Sequence, residues 1–296
     1  MNGLLLVDKP GGMTSHDVVA RVRRLIGEKS VGHLGTLDPM ATGLLPLLLG
    51  SYTRLARFFG ALEKSYTGSI RFGFATDTWD ADGAQVGEAV DPLLTLDQLR
   101  DAAAGFVGES EQMPPAYSAK KIGGKPAYAI ARSGETPRLK AARVTIDEFS
   151  IGELAGSTAC FAMRISSGGY VRSVAHELGQ QMGSGAHLCS LRRVAAGEFK
   201  VEDAMTLEAL REVVEAGKLG EFLPHPRTLL AELPAVTADA GTLVRLRNGM
   251  QVNLPEFSRA EQVRIFAGQA ELAAIGRRVA GTLFQPLVVL SERPTS

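Results

Sequence analysis

Cysteine is scarce: Cys160 and Cys189 are the only two in 296 residues. That excludes a disulfide scaffold and points to a reducing compartment. Long apolar runs are missing too. The best candidate, LLPLLLG (44–50), is interrupted by Pro46 and falls well short of the roughly 18 residues that a membrane helix needs. The N-terminal MNGLLLVDKPGG has neither the basic start nor the apolar length of a signal peptide. A soluble, cytoplasmic protein with no membrane partner is expected. Net charge is absent, since 32 Lys and Arg balance 32 Asp and Glu. No Walker A sequence occurs, no G-x-G-x-x-G opens a helix after a strand, and no G-x-S-x-G elbow appears. The residues therefore give no signal for a nucleotide cofactor or a serine hydrolase.

What is present is a globular composition, 45% apolar and 22% charged, with its charge sorted into blocks. Residues 61–112 carry three basic and ten acidic groups; residues 113–145 carry seven and one. Such blocks can build one positive and one negative face on a neutral protein, which keeps a nucleic-acid partner open. GLLLV (3–7) reads as a buried strand. Thr14 or Ser15 can cap a helix with Val18, Val19, Val22, Leu25 and Ile26 on one face and Gly27 at its end. Leu44–Leu49 reads as a second buried strand, and Ser51–Leu62 as an amphipathic helix. Tyr66, Gly68, Ile70 and Phe72 alternate along a third strand. Thr95 and Gln98 form a capping box. Strands are expected at 143–151, 158–166 and 191–199, and helices at 170–178 and 207–216. FLPHPRTLLAELP (222–234) reads as a linker. The short strands after it, including VRLRNGMQV with an Asn-Gly turn, suggest a small β-barrel. The larger part lacks βαβ alternation, so the expected class is α+β, a mixed and largely antiparallel sheet flanked by helices.

The loop GHLGTLDPMATG (32–43) is the most informative stretch. Its glycines permit backbone shapes that other residues avoid, and Pro39 pushes Asp38 toward an extended conformation. A carboxylate there is placed to act as a nucleophile or base, or else to cap its own turn. His33 lies five residues before Asp38 and has no neighbour at zinc spacing, so a stacking or structural histidine fits better than a metal ligand. In TWDADGAQVGEA, Thr78 and Ala89 break the calcium-loop pattern, leaving a tight acidic turn. Tyr66, Tyr117, Tyr128 and Tyr170 each stand beside basic residues, a pattern that suits stacking on bases next to phosphates; Tyr170 and Arg172 can equally mark a helix start.

Seven stretches together carry a family resemblance: VDKPGGMTS (7–15), GHLGTLDPMATGLLP (32–46), KSYTG (64–68), ATDTWDADG (75–83), MPPAYSAKKIGGKPAYAIARSGE (113–135), SSGGYVRS (166–173) and GAHLCSLRR (185–193). In these the chain resembles bacterial tRNA pseudouridine synthases of the TruB family. Leu34 and Gly169 depart from that pattern: the first position is usually small or polar, and the second commonly holds threonine.

The resemblance implies the pseudouridine synthase fold over residues 1–228, with a basic insertion over about 113–140, and a PUA-like RNA-binding domain over 229–296. It implies isomerisation of the T-loop uridine at position 55 of tRNA to pseudouridine, with no cofactor, no metal and no obligatory protein partner, by a monomer. Asp38 becomes the catalytic aspartate. Whether it forms a ribose adduct, attacks the base or removes a ribose proton stays open. Arg172 becomes its ionic partner, Tyr66 the ring on the target uracil, Leu191 a pocket wall and Tyr170 a structural pocket residue. His33 fills the space left by the flipped base. Lys9 and Pro10 support the catalytic loop. Lys120, Lys121, Lys125 and Arg132 contact RNA phosphates, with Gly123 and Gly124 as a hinge. A guide-RNA-dependent synthase and a tRNA-folding helper with incidental catalysis are the alternatives.

Overall fold

The structure, a computed structural model, describes residues 1–60, 62–118, 120–257 and 259–290. The strands are β1 (Gly3–Lys9), β2 (Val31–His33), β3 (Thr42–Leu49), β4 (Lys64–Phe72), β5 (Ala75–Thr76), β6 (Gln85–Val86), β7 (Gly108–Gln112), β8 (Lys121–Ile122) and β9 (Lys125–Pro126). They continue with β10 (Ala142–Ala155), β11 (Thr158–Ile165), β12 (Ala186–Ala196), β13 (Phe199–Lys200), β14 (Ala235–Ala238), β15 (Val252–Asn253), β16 (Gln262–Ala267), β17 (Glu271–Ala280) and β18 (Leu283–Val289). The helices are α1 (Ser15–Ile26), α2 (Leu96–Ala104), α3 (Ala127–Arg132), α4 (Val171–Gln181), α5 (Leu207–Glu215) and α6 (Ala240–Arg247).

The main sheet runs β1-β3-β12-β4-β11-β10-β7, with β2 on β3 and β13 on β12. Every pairing in it is antiparallel except β12 with β3. This is the mixed, largely antiparallel α+β sheet expected. β1 and β3 are buried on both faces, and the period of two sorts their side chains. From β1 and β3, Leu5, Val7, Leu45, Leu47 and Leu49 join a core with α1, α4 and α5. Leu4, Leu6, Leu44 and Leu48 point the other way. Local signals behave as the sequence suggests: Thr14 caps α1 in a capping box, and Gly27 ends it with φ of 67°. Thr95 and Gln98 cap α2 likewise.

Four expectations need correction. The 51–62 helix is a 3₁₀ helix over Gly50–Phe58; Tyr52, Leu55 and Phe58, spaced by three, stack on one side of a three-residue turn. VRLR lies in α6, not in a hairpin: Asp239 caps that helix by accepting from the Thr242 amide, and Asn248 with Gly249, at φ of 74°, ends it. The supposed linker is packed, with Leu229 and Leu230 buried and Arg264 donating to the carbonyls of Arg227, Leu229 and Leu233. The expected barrel is, among the described residues, an open five-stranded sheet, β14-β16-β17-β18-β15. Residues 291–296 of the expected C-terminal domain lie outside the described residues.

Candidate active site

Asp38 sits in the loop between β2 and β3, and that loop is clamped from several sides. Lys9, fully buried at the end of β1, donates from Nζ to the carbonyls of Pro10 (2.9 Å), Met13 (2.6 Å) and Pro39 (3.2 Å). Pro10 itself is exposed at the turn that begins there. Ser15, at the start of α1, accepts from the Leu37 amide at 2.8 Å and donates to the Leu37 carbonyl at 3.1 Å. The Gly12 amide donates to the Pro39 carbonyl. Arg193, on β12, donates from Nε to the Leu44 carbonyl (2.7 Å) and from Nη2 to the Gly35 carbonyl (3.1 Å). The backbone around the carboxylate is therefore held before any ligand arrives.

Arg172 enters from the first turn of α4. Its Nη2 donates to Asp38 Oδ1 at 3.1 Å, and its Nε lies 2.9 Å from Asp38 Oδ2. The same guanidinium reaches Asp80 Oδ2 at 3.2 Å and donates to the carbonyls of Thr78 (3.0 Å) and Tyr117 (2.9 Å). The Arg172 side chain is 4% exposed and that of Asp80 7%, while Asp38 keeps 32% of its side-chain surface. One buried cation thus orients one buried and one accessible carboxylate. Burial pushes the Asp38 carboxyl above its ordinary range and Asp80 adds to the rise, while Arg172 and Lys9 pull against it.

Asp38 lines a cleft of about 530 Å³ together with Tyr66, Leu191, Tyr170, Arg172, Lys64, Lys120 and the Ser167–Gly169 turn. Tyr66 comes from β4, where it faces Met163 of β11 on one side and Arg193 of β12 on the other. Burial raises its phenol, and Arg193 opposes that rise. Leu191 lies two residues before Arg193, on the same face of β12. Tyr170 precedes α4; its amide donates to Gln112 Oε1 at 2.7 Å, and Gln112 Nε2 donates back to its carbonyl at 3.1 Å. Burial pushes Lys64 down to about 8, and its ammonium donates to the Leu62 carbonyl.

The structure brings together Asp38, Tyr66, Tyr170, Arg172, Leu191 and Lys120. His33 does not line the cleft: it ends β2, its ring meets His16 edge-on at 5.6 Å, and burial lowers its imidazole. Lys121 and Lys125 are exposed on the β8–β9 hairpin. Arg132 lies on α3, over the Tyr128 ring. Gly123 and Gly124, at φ of 56° and 86°, form the tight turn of that hairpin. Leu34 is core, 8% exposed. A Cβ at Gly169 would collide with Ile165, so the departure from threonine matches its neighbour.

Three contributors escape a reading of the sequence. Asp80 belongs to the acidic turn within ATDTWDADG, where neither the broken calcium pattern nor the family resemblance gives that residue a role. Lys64 stands two residues before Tyr66 on the same strand face, a placement the alternation along β4 could have supplied. Arg193 sits in LRR, where only its neighbour Leu191 stood out. Among the described residues no group of three His, Cys, Asp or Glu side chains could hold a metal.

Residues 23–171 match the family model described as TruB family pseudouridylate synthase, N terminal domain, and residues 172–225 match the tRNA pseudouridylate synthase B C-terminal domain. A Solibacter usitatus protein named tRNA pseudouridine synthase B is 42% identical over 98% of this chain and 100% of its own length. A namesake from Opitutus terrae is 46% identical over 71% of this chain and 87% of its own. Among solved structures, an H/ACA RNP bound to a substrate RNA containing 2'-deoxyuridine aligns with 99% of this chain and 86% of its own at a TM-score of 0.72 and 23% identity, a likeness of fold. From the family models and the full-length relatives together, the chain belongs to the TruB family of pseudouridylate synthases.

Proposed function

We propose that the chain isomerises the T-loop uridine at position 55 of tRNA to pseudouridine, and that Asp38 is the residue on which the reaction depends. The observation that carries this reading is the forked contact of Arg172 with Asp38, at 2.9 and 3.1 Å, at the wall of a cleft that also holds Tyr66 and Leu191. When the C1′–N1 bond opens, positive charge develops on the ribose. A fixed, accessible carboxylate stabilises that charge. Arg172 keeps the carboxylate oriented and ionised in a partly desolvated site. Leu191 supplies an apolar wall and Tyr66 a ring for the uracil.

A uridine inside a folded loop must leave its stack to reach Asp38, at a cost of a few kcal/mol that new contacts offset. Lys120 at the cleft, and exposed Lys121 and Lys125 with Arg132 beside it, support a role for the basic hairpin on RNA phosphates. We assign residues 1–228 to catalysis, and the five-stranded C-terminal sheet to a PUA-like RNA-binding role. The enzyme acts as a monomer without guide RNA.

The test is to incubate purified protein with a bare T-arm transcript and map pseudouridine. Conversion at the T-loop uridine is expected for the native chain. Asp38→Asn is expected to bind the transcript with unchanged Kd and convert none of it. Substantial conversion by Asp38→Asn overturns the assignment; a need for guide RNA favours the guide-dependent alternative.

A further inference from the structure

Arg193 is fully buried, with 0% of its surface exposed, and among the described residues no carboxylate pairs with it. A buried cation without an anion is costly and rare. Two of its three nitrogens are satisfied by carbonyls, of Leu44 and Gly35. The third, Nη1, is buried and makes no hydrogen bond of good geometry among the described residues. Its surroundings point toward the cleft. Arg193 is the direct cross-strand partner of Tyr66, and residues so paired share a sheet face with their side chains adjacent. A side chain at Gly35, which lines the cleft, would touch Nη1 at 3.4 Å and Lys64 Cε at 3.3 Å. The uncompensated charge therefore stands directly behind Tyr66, Gly35 and Lys64, across the cleft wall from the base.

We propose that Arg193 is a positioning residue that, through Tyr66, stabilises the negative charge formed on the uracil when its bond to ribose opens. The inference rests on the pseudouridine reading above. When C1′–N1 breaks, the bonding pair stays with the ring and leaves a uracil anion, with charge spread over N1 and the two carbonyl oxygens. Asp38 answers the positive sugar; of the cations that line the cleft, Arg172 is committed to Asp38 and Asp80, Lys64 donates to the Leu62 carbonyl and Lys120 to the Lys140 carbonyl. A guanidinium fixed in a low-dielectric wall answers the negative base without reorganising. The pair later forms the C5–C1′ bond. The C5 proton then leaves and N1 gains one, so no oxidant or co-reactant enters. Arg193 also fixes the Gly35 and Leu44 carbonyls, on either side of Asp38 in the chain, and so places both charges in one frame.

Single-turnover loss of the C1′–N1 bond in a T-arm transcript tests the proposal, using uridine and 5-fluorouridine as targets; fluorine at C5 blocks the final proton loss, so bond opening is the step read on both. Fluorine makes the departing base a weaker base, so it needs less help. Arg193→Gln is expected to slow the uridine reaction by ~10²-fold, as for a lost oxyanion donor, with unchanged transcript Kd. The defect on 5-fluorouridine is expected to be clearly smaller. Equal defects on both substrates indicate a structural role and overturn the proposal. Arg193→Lys, which keeps the charge, guards against misfolding of the glutamine variant and is expected to recover part of the uridine rate. Arg193→Gln combined with Tyr66→Phe is expected to lose no more than the worse single variant; fully additive losses overturn the coupling through Tyr66. A native chain that converts neither substrate defeats the pseudouridine reading instead.

Discussion

At the scale of single residues, the site is a chain of alternating charge: Asp38, Arg172 and Asp80, with Arg172 at the centre. Removing the Asp80 carboxylate leaves a buried guanidinium with half its ionic partners and frees it to turn. Asp80→Asn is expected to slow single-turnover conversion about tenfold or more while leaving transcript binding intact, in line with the cost of misplacing a catalytic group. Asp38 is raised by burial, so its working ionised form is lost as pH falls through a value above the usual carboxylate range. The acid limb of the rate profile is expected there. Arg172→Lys weakens the opposing pull, so the limb should move to still higher pH. A limb unchanged by that substitution would remove Arg172 from control of Asp38.

At the scale of elements, close strand approach depends on glycine where sequence alone showed only flexibility. Gly43 of β3 has φ of 98°, and a Cβ there would run into the backbone of Arg193 on β12. Gly43→Ala is expected to destabilise the protein by about 3 kcal/mol, the sum of strain and overpacking, read as a lower denaturant midpoint. The β8–β9 hairpin carries the opposite kind of prediction. Lys120→Ala with Lys121→Ala should leave the fold intact and flatten the salt dependence of transcript binding, since fewer counterions are displaced. Much of this was legible beforehand: the apolar runs of β1 and β3, the alternation along β4, and the caps of α1 and α2 are local signals. Asp80 and Arg193 were not, because their partners lie far away in the chain and no spacing announces them. VRLRNG misled because Asn-Gly serves equally as a hairpin turn and as a helix end.

At the scale of the whole molecule, the two sheets share a core rather than a tether. Leu4, Leu6, Leu44 and Leu48, on the face of the main sheet opposite its helices, pack in one cluster with Phe266, Leu272, Ile275 and Val288 of the second sheet. Arg54 and Arg57, from the 3₁₀ helix, donate to the carbonyls of Val289 and Leu287 at 3.0 Å each and fasten the last strand. Exposing a buried leucine costs roughly 1.5–3 kcal/mol, so uncovering four of them rivals the stability of an entire domain. A chain ending at Thr228 is therefore expected to be insoluble or to lose its sharp transition. The full chain is expected to unfold in one step, with fluorescence of Trp79, near the site, and circular dichroism of both sheets changing together. Two separated transitions, or a well-folded shortened chain with native transcript turnover, would show that the second sheet is a module apart. Substituting Phe266→Ala discriminates more finely. If the core is common to both sheets, the cavity left by its ring lowers the single midpoint, and Asp38 and its loop melt with it.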